Sequence, residues 1–301
     1  MPARDREPLW AKVTVKVALE AAPGVADVML SVSHGVEEQP RGAKVGLVTY
    51  VPAAHTAKAL ERIHERLTAL SAAGLEVGSA TVAVRRVRSR KWEEAWKAGL
   101  DVVRVPPRIV IKPTWKDYAA RPGEEAVVEL DPGMAFGTGD HATTRGCLAA
   151  LGRCIRGGEL VFDIGAGSGV LSIAAAKLGA RRVVGVEIDE SAARIAAHNV
   201  GLNQVDNIVA VVCGDGLRCL RPGADVIVAN LTSHHVAALA PQVRGHLAPG
   251  GVFIASGIST AHEGAVRVAG EAERFSVRDR RQEGEWLTMV WELGTDAPAS
   301  G

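Results

Sequence analysis

Apolar residues follow two different patterns along this chain. In the first hundred residues they form short, separate runs. Trp10 to Leu19 sets Val13, Val15 and Val17 on alternate positions, the period of a half-buried strand. Lys44 to Val51 is a second strand-like run, and Thr81 to Val87 alternates again. Between them, Thr56 to Leu70 spaces Ala59, Leu60, Ile63, Leu67 and Leu70 along one face of a helix, with Gly74 placed to stop it. Ala22 to Leu30 is short and ambiguous, and Ser31 to Glu38 leaves room for an edge strand. The order is close to a ferredoxin-like βαββαβ unit, a small α+β domain. From Gly158 onward the pattern changes to continuous apolar runs: Leu160 to Ile164, Arg182 to Ile188, Ile208 to Cys213, Asp225 to Ala229 and Val252 to Ala255. Helical stretches separate them, at Val170 to Leu178, Ser191 to Leu202, His234 to Leu247 and Ala261 to Ala272. Strands alternating with helices predict an α/β fold, a doubly wound, Rossmann-like parallel sheet covered on both faces. Phe275 to Arg280 and Trp286 to Leu293 read as an antiparallel hairpin at the sheet edge.

The stretch between the two patterns reads as a connector. Trp92 and Trp96 lie one helical turn apart, and Pro106, Pro107, Pro113 and Pro122 break up the chain beyond them. The expected division is a recognition-type unit over 1–90, a helical and proline-rich linker over 91–120 with a break near 105, a catalytic unit over 121–294 and a disordered tail over 295–301. Composition removes other classes. At 47% hydrophobic and 23% charged the chain is globular in character, and its formal net charge of +1 sets up no bulk field for nucleic acid or acidic membranes. The basic run Arg85 to Lys91 reads as a solvated strand end before a nucleic-acid patch. No stretch approaches the roughly 20 apolar residues of a membrane span. Met1 to Arg6 lacks the apolar run of a secretory signal, so a cytoplasmic protein is expected. Cys147, Cys154, Cys213 and Cys219 form no C-x-x-C pair and no metal-ligand spacing, so buried free thiols and no metal are expected.

The chemistry concentrates at Asp163-Ile164-Gly165-Ala166-Gly167-Ser168-Gly169, where a buried strand hands over to a helix. Ligands of doubly wound sheets bind at that edge. A dinucleotide site needs G-x-G-x-x-G around a pyrophosphate; here the third glycine comes one residue early and Val170 stands in its place. The acidic Asp163 before the turn suits a cationic ligand such as S-adenosylmethionine. D-x-G-x-G-x-G is the pattern of class I methyltransferases. Glu187, ending the second strand, can accept both ribose hydroxyls, while Asp189 serves as a helix cap. Asp215, ending the third, is either a contact to the adenine amino group or a simple turn residue.

Two further segments narrow the reading. Leu130-Asp131-Pro132-Gly133-Met134-Ala135-Phe136-Gly137-Thr138-Gly139-Asp140-His141-Ala142-Thr143-Thr144 precedes the sheet, and Val228-Ala229-Asn230-Leu231 ends the fourth strand. With the glycine turn they resemble the ribosomal protein L11 methyltransferases, the PrmA family. The likeness runs from the Trp92 helix and Lys112-Pro113-Thr114-Trp115 to the C-terminal hairpin; the first 90 residues fit only by element order. Asp140 stands where that family has Thr, Ala142 where it has Pro, Glu187 where it has Asp, and Leu231-Thr232-Ser233-His234-His235 replaces its usual sequence.

The resemblance implies that Thr144, Gly165, Glu187 and Asn230 bind S-adenosylmethionine. It also implies trimethylation of lysine side chains and an N-terminal α-amine on the large-subunit ribosomal protein L11. Phe136, Gly137 and Thr138 belong to a glycine-rich stretch that could fold over the cofactor as a flexible lid. Asn230 offers an amide oxygen to an amine nucleophile and an NH2 to the cofactor, which makes it the candidate catalytic residue. His141 reads as a structural hydrogen-bonding residue of the loop, and His234 and His235 as surface residues of the next helix. Gly167 needs no side chain because a Cβ would enter the methionine space. The expected partner is a protein substrate without membrane or direct nucleic-acid contact, acted on by a monomer. The rivals are an N-methyltransferase of another protein or small molecule, and an NAD-dependent oxidoreductase. Asn230 is not followed by Pro-Pro-aromatic, so a DNA amino-methyltransferase that stacks a flipped base is disfavoured.

Overall fold

The computed structural model describes residues 9–30, 32–33, 36–42, 44–88, 100–131 and 135–294. The Trp92–Trp96 helix, the Pro132–Met134 part of the loop and the tail lie outside these residues. The chain divides into two compact units, Met1–Gly99 and Leu100–Gly301.

In the first unit, β1 (Leu9–Ala18), α1 (Ala22–Leu30), β2 (Glu37–Arg41), β3 (Lys44–Pro52), α2 (Thr56–Ala72) and β4 (Thr81–Arg88) follow in order. The sheet runs β2-β3-β1-β4, antiparallel throughout. This is the ferredoxin-like arrangement. The ambiguous Ala22–Leu30 segment is helical because Val25 and Met29 close over the sheet, fully buried. The alternation of β1 puts Val13, Val15 and Val17 on one face, where Ala59, Ile63 and Leu67 of α2 cover them at i, i+4 spacing. Each such residue, fully buried, stabilises by roughly 1.5–3 kcal/mol.

The second unit holds two sheets. The larger is built from β8 (Leu160–Ile164), β9 (Arg182–Glu187), β10 (Val209–Cys213), β11 (Ala224–Asn230), β12 (Leu247–Ser259), β13 (Phe275–Glu283) and β14 (Trp286–Leu293). Its order is β10-β9-β8-β11-β12-β14-β13. β8 to β12 are parallel, and β14 runs antiparallel to both neighbours. The C-terminal hairpin thus sits at the sheet edge with its second strand inside. The helices are α3 (Ala142–Cys154), α4 (Val170–Lys177), α5 (Glu190–Leu202), α6 (Ser233–His246) and α7 (Glu263–Ala272). Strand residues alternate between two cores. Val161, Val228, Ile254 and Val290 meet Leu148, Leu151 and Ile173 on one face. Phe162, Ile227, Phe253 and Met289 meet Val236, Leu239 and Val266 on the other. Burial on both faces is why these strands read as unbroken apolar runs.

The smaller sheet corrects the expected linker. β5 (Val103–Val105), β6 (Ile109–Pro113) and β7 (Ala126–Leu130) pair in that order. Ile109, Ile111, Val128 and Leu130 are buried in the same core as α3 and α4. Residues 100–120 therefore belong to the second unit. β7 lies on the outer side of α4, whose residues Val170 to Ala176 are consequently all buried. Alanines there let three layers approach closely. No described helix is long and apolar enough to cross a membrane.

Candidate active site

The glycine turn joins β8 to α4 at the carboxyl edge of the larger sheet. Gly165, Gly167 and Gly169 have φ of +77°, +53° and +82°, the left-handed region that favours glycine. The three are also sterically closed. A Cβ on Gly165 would stand 2.7 Å from Leu231 Cδ2, and one on Gly169 3.3 Å from Ala196 of α5. A Cβ on Gly167 would meet the Phe136 carbonyl oxygen at 2.6 Å. Within the protein itself, the neighbour that forbids a side chain at Gly167 is the backbone of Phe136.

The turn has no N–H to offer an anion. Gly165 N and Ala166 N donate to Val186 O at 2.8 and 3.1 Å, Ser168 N to Phe136 O at 2.9 Å, and Gly169 N to Ala166 O at 2.8 Å. Gly167 N donates to Glu187 Oε2 at 2.8 Å and Val170 N to Ser168 Oγ at 3.3 Å. A pyrophosphate at a helix N-terminus depends on such groups being free, so the bonded N–H groups of the turn, like its glycine spacing, disfavour a dinucleotide. The site presents acceptors instead. Asp163 is fully buried, its Oδ2 accepts from Ser172 Oγ at 2.6 Å, and its Oδ1 has no partner. Burial raises its pKa to about 6, opposed by the Ser172 hydrogen bonds and reinforced by the charge of Glu187. A buried carboxylate lacking one donor fits a cationic ligand.

Glu187 ends β9 half-buried, with Oε1 accepting from Asp189 N at 3.1 Å. Asp189 caps α5, accepting from Ser191 N and Ala192 N. Asp215 stands in the loop after β10, solvent-exposed and ion-paired with Arg218 at 2.9 Å. Its strand is beside Glu187, for Cys213 pairs with Glu187 and Gly214 N donates to Glu187 O. Ile188, 72% exposed, lies at the same edge, an apolar surface that strand periodicity alone does not flag. Cys213 and Cys219 are also exposed there, contrary to the expectation of buried thiols; Cys147 alone is fully buried.

Asn230 ends β11, half-buried, and its Nδ2 donates to Thr144 Oγ1 at 3.3 Å. Thr144 is fully buried in the first turn of α3. The hydroxyl thus fixes the amide of Asn230. The Phe136–Gly139 stretch is pinned. Besides the Phe136–Ser168 bond, Ser168 Oγ donates to Gly137 O at 2.7 Å. Thr138 donates to Asp140, and Arg145 holds the Asp140 carbonyl and Glu283. A Cβ on Gly139 would stand 2.5 Å from Ile111. The described part of the expected flexible lid is a docked wall. His141 caps α3, with Nδ1 2.8 Å from Thr143 Oγ1, and its ring lies edge-on to Phe136 at 5.7 Å and Trp286 at 5.4 Å. Burial lowers its pKa. This matches the structural role read from sequence. His234 and His235 are exposed on α6, His235 bonded to Thr232. Ser168, at a variable position of the glycine motif, and Ser172, Asn199 and Trp286, which no motif marks, also shape this edge.

A doubly wound sheet with its last strand inserted antiparallel, and an acidic glycine turn at its carboxyl edge, define a class I methyltransferase with S-adenosylmethionine as cofactor. The family profile for ribosomal protein L11 methyltransferase (PrmA) matches residues 10–293. The chain belongs to that family. A ribosomal protein L11 methyltransferase of Pelotomaculum thermopropionicum is 41% identical over 94% of this chain and 99% of its own length. Another, from Caldanaerobacter subterraneus subsp. tengcongensis, is 43% identical over 76% of this chain and 73% of its own. Among solved structures, the ribosomal protein L11 methylase of Lactobacillus delbrueckii subsp. bulgaricus aligns with a TM-score of 0.61 at 30% identity, over 64% of this chain and 99% of that one.

Proposed function

We propose that this chain methylates ribosomal protein L11, at lysine side chains and at the N-terminal α-amine, by direct in-line transfer. The observation that carries the reading is a glycine turn without a free N–H beside a buried carboxylate that lacks a donor; the target is taken from what the relatives are called. When bound, S-adenosylmethionine supplies the methyl carbon and the leaving group. Asp163 sets a negative potential for its cationic end, strengthened by the low dielectric around a fully buried group. Glu187, already holding the turn through Gly167, keeps lone pairs for the ribose hydroxyls. Asp215 and the exposed Ile188 flank the adenine. Gly165 and Gly167 keep the turn slim, and Phe136, Gly137 and Thr138 form the wall that excludes water.

Asn230 orients the incoming amine through its amide oxygen, with Thr144 fixing which way the amide faces. A lysine has a pKa of about 10.4 and an α-amine about 7.7–8.0, so a proton must leave before each transfer. Desolvation at the carboxyl edge lowers that pKa and assists the loss. Asn230→Ala is expected to lower kcat about 30-fold, roughly 2 kcal/mol for a positioned hydrogen bond, with cofactor Kd changed far less. Stopped single-turnover assays with parallel calorimetry separate the two, and equal losses would reduce Asn230 to a binding residue.

The ferredoxin-like unit serves as the docking module for the folded protein substrate, and the chain works as a cytoplasmic monomer without nucleic-acid contact. The test is mass spectrometry of purified L11 after incubation with S-adenosylmethionine and either the full chain or residues 100–301. The full chain should add methyl groups at amines, and the shorter chain should bind cofactor yet leave L11 unmodified. An unchanged L11 mass with the full chain removes the assignment.

A further inference from the structure

Asn199 of α5 and Asn203, the residue that caps its C-terminus, stand one turn apart, both buried, and both direct their side-chain amides to the backbone of other elements. Asn203 holds β7, donating to Glu129 O at 2.6 Å and accepting from Glu129 N at 2.9 Å. Asn199 does something different. Its Nδ2 donates to Ser168 O at 2.8 Å, inside the glycine turn, and its Oδ1 accepts from Asp131 N at 2.9 Å, where the chain leaves β7 toward Phe136. The Ser168 residue is then gripped from three directions: its N–H by Phe136 O, its hydroxyl by Gly137 O, and its carbonyl by Asn199. One buried amide therefore links the cofactor turn to the root of the wall that faces it.

We propose that Asn199 is a positioning residue for the methyl-transfer site, fixing the turn and the Phe136–Gly139 wall as a single rigid cradle for the cofactor. The inference rests on the reading that this turn binds S-adenosylmethionine. A buried side-chain amide with its donor and acceptor both satisfied is a stiff connector, because breaking either bond leaves an unpaired backbone group inside the protein. With the connector gone, Ser168 keeps its bonds to Phe136 and Gly137, but its carbonyl is left without its amide partner and the wall loses its tie at Asp131. Binding must then restore the lost order each time, which lowers affinity.

Asn203 provides the structural control. It caps the same helix, is buried, makes three side-chain bonds against the two of Asn199, one of them from its Nδ2 to Asn199 O at 2.8 Å, and bonds neither the turn nor the Phe136–Gly139 wall. Full-length Asn199→Ala and Asn203→Ala are therefore expected to lose comparable thermal stability. Only Asn199→Ala should raise the Kd for S-adenosylmethionine by calorimetry, by about tenfold, and speed hydrogen exchange at the Ser168 amide. Asn199→Asp keeps the acceptor for Asp131 N and removes the donor to Ser168 O, so it isolates the turn contact; it should show at least the same loss, and it carries the test alone if the alanine variant does not fold. Wild-type affinity in Asn199→Asp, or an equal affinity loss in Asn203→Ala, overturns the proposal. Absence of S-adenosylmethionine binding by the wild-type chain would instead overturn the underlying reading of the site.

Discussion

Asp163→Asn is expected to raise the stability of the cofactor-free protein at pH 8 while weakening S-adenosylmethionine binding by about 100-fold, the order of magnitude of one lost hydrogen bond to a charged group. The folded-state pKa is raised from 3.8 to about 6, chiefly by burial. Below about pH 4 the carboxyl is protonated in folded and unfolded chains alike. Between pH 4 and 6 the folded chain retains a proton that the unfolded chain has released, so stability falls as pH rises. Above pH 6 the folded protein carries the full cost of a buried charge, about 3 kcal/mol at 1.36 kcal/mol per unit. Asparagine removes that cost and still accepts from Ser172 Oγ. Its NH2 then occupies the unpartnered Oδ1 position and costs about 1 kcal/mol or more of its own. The net gain of about 1–2 kcal/mol should appear as a higher Tm at pH 8 and vanish near pH 4.5. Saturating S-adenosylmethionine should reverse the order of the two proteins, because ligand stabilises only the form that binds it well. Wild-type affinity should also fall about tenfold per pH unit below 6. A variant that is less stable than wild type at pH 8 without cofactor would refute the strain assigned to Asp163.

Trading stability for a charged site also explains which parts of this protein could be read from its sequence. The turn was legible because its demands are local: an acidic strand end, positive φ at alternate residues and a helix start. The doubly wound sheet was legible because two-sided burial of β8, β11 and β12 leaves unbroken apolar runs. The small sheet was not. Val103–Val105 and Ile109–Pro113 are short and sit among prolines, and they become strands only by pairing with β7 and covering α3 and α4. Glycine content misleads in the loop. Gly137 and Gly139 suggest mobility, yet φ of +102° and +92° there is what lets the backbone lie against Ser168 and Ile111. The side-chain roles of Ser168 and Asn199 are silent in the sequence for a related reason. Both are ordinary residue types whose role comes from partners 31 and 68 positions away. Conversely, family likeness points to Thr144 as a cofactor ligand, and the bond its hydroxyl accepts from Asn230 is a second role that likeness does not bring out.

Adding a single methyl group at Gly167 is expected to be the most damaging small change in the site. Gly167→Ala should lower S-adenosylmethionine affinity by 100-fold or more, roughly 3 kcal/mol. Two costs coincide. At φ +53° a residue with a Cβ is strained, by about 1–2 kcal/mol. The Cβ would also stand 2.6 Å from the Phe136 carbonyl oxygen, which is backbone and cannot rotate away. The turn or the wall must move. Movement of the turn breaks Gly167 N to Glu187 and Ser168 N to Phe136 together, detaching the carboxylate proposed for the ribose from the turn that aligns it. Gly158 separates the two costs. Its φ is +93°, and a Cβ there meets nothing within 4 Å. Gly158→Ala should therefore lose Tm through backbone strain and retain cofactor affinity, whereas Gly167→Ala should lose both. Calorimetric titration and thermal melts of the pair distinguish strain from collision, and affinity within threefold of wild type in Gly167→Ala would mean the Phe136 wall yields freely and is not part of the site.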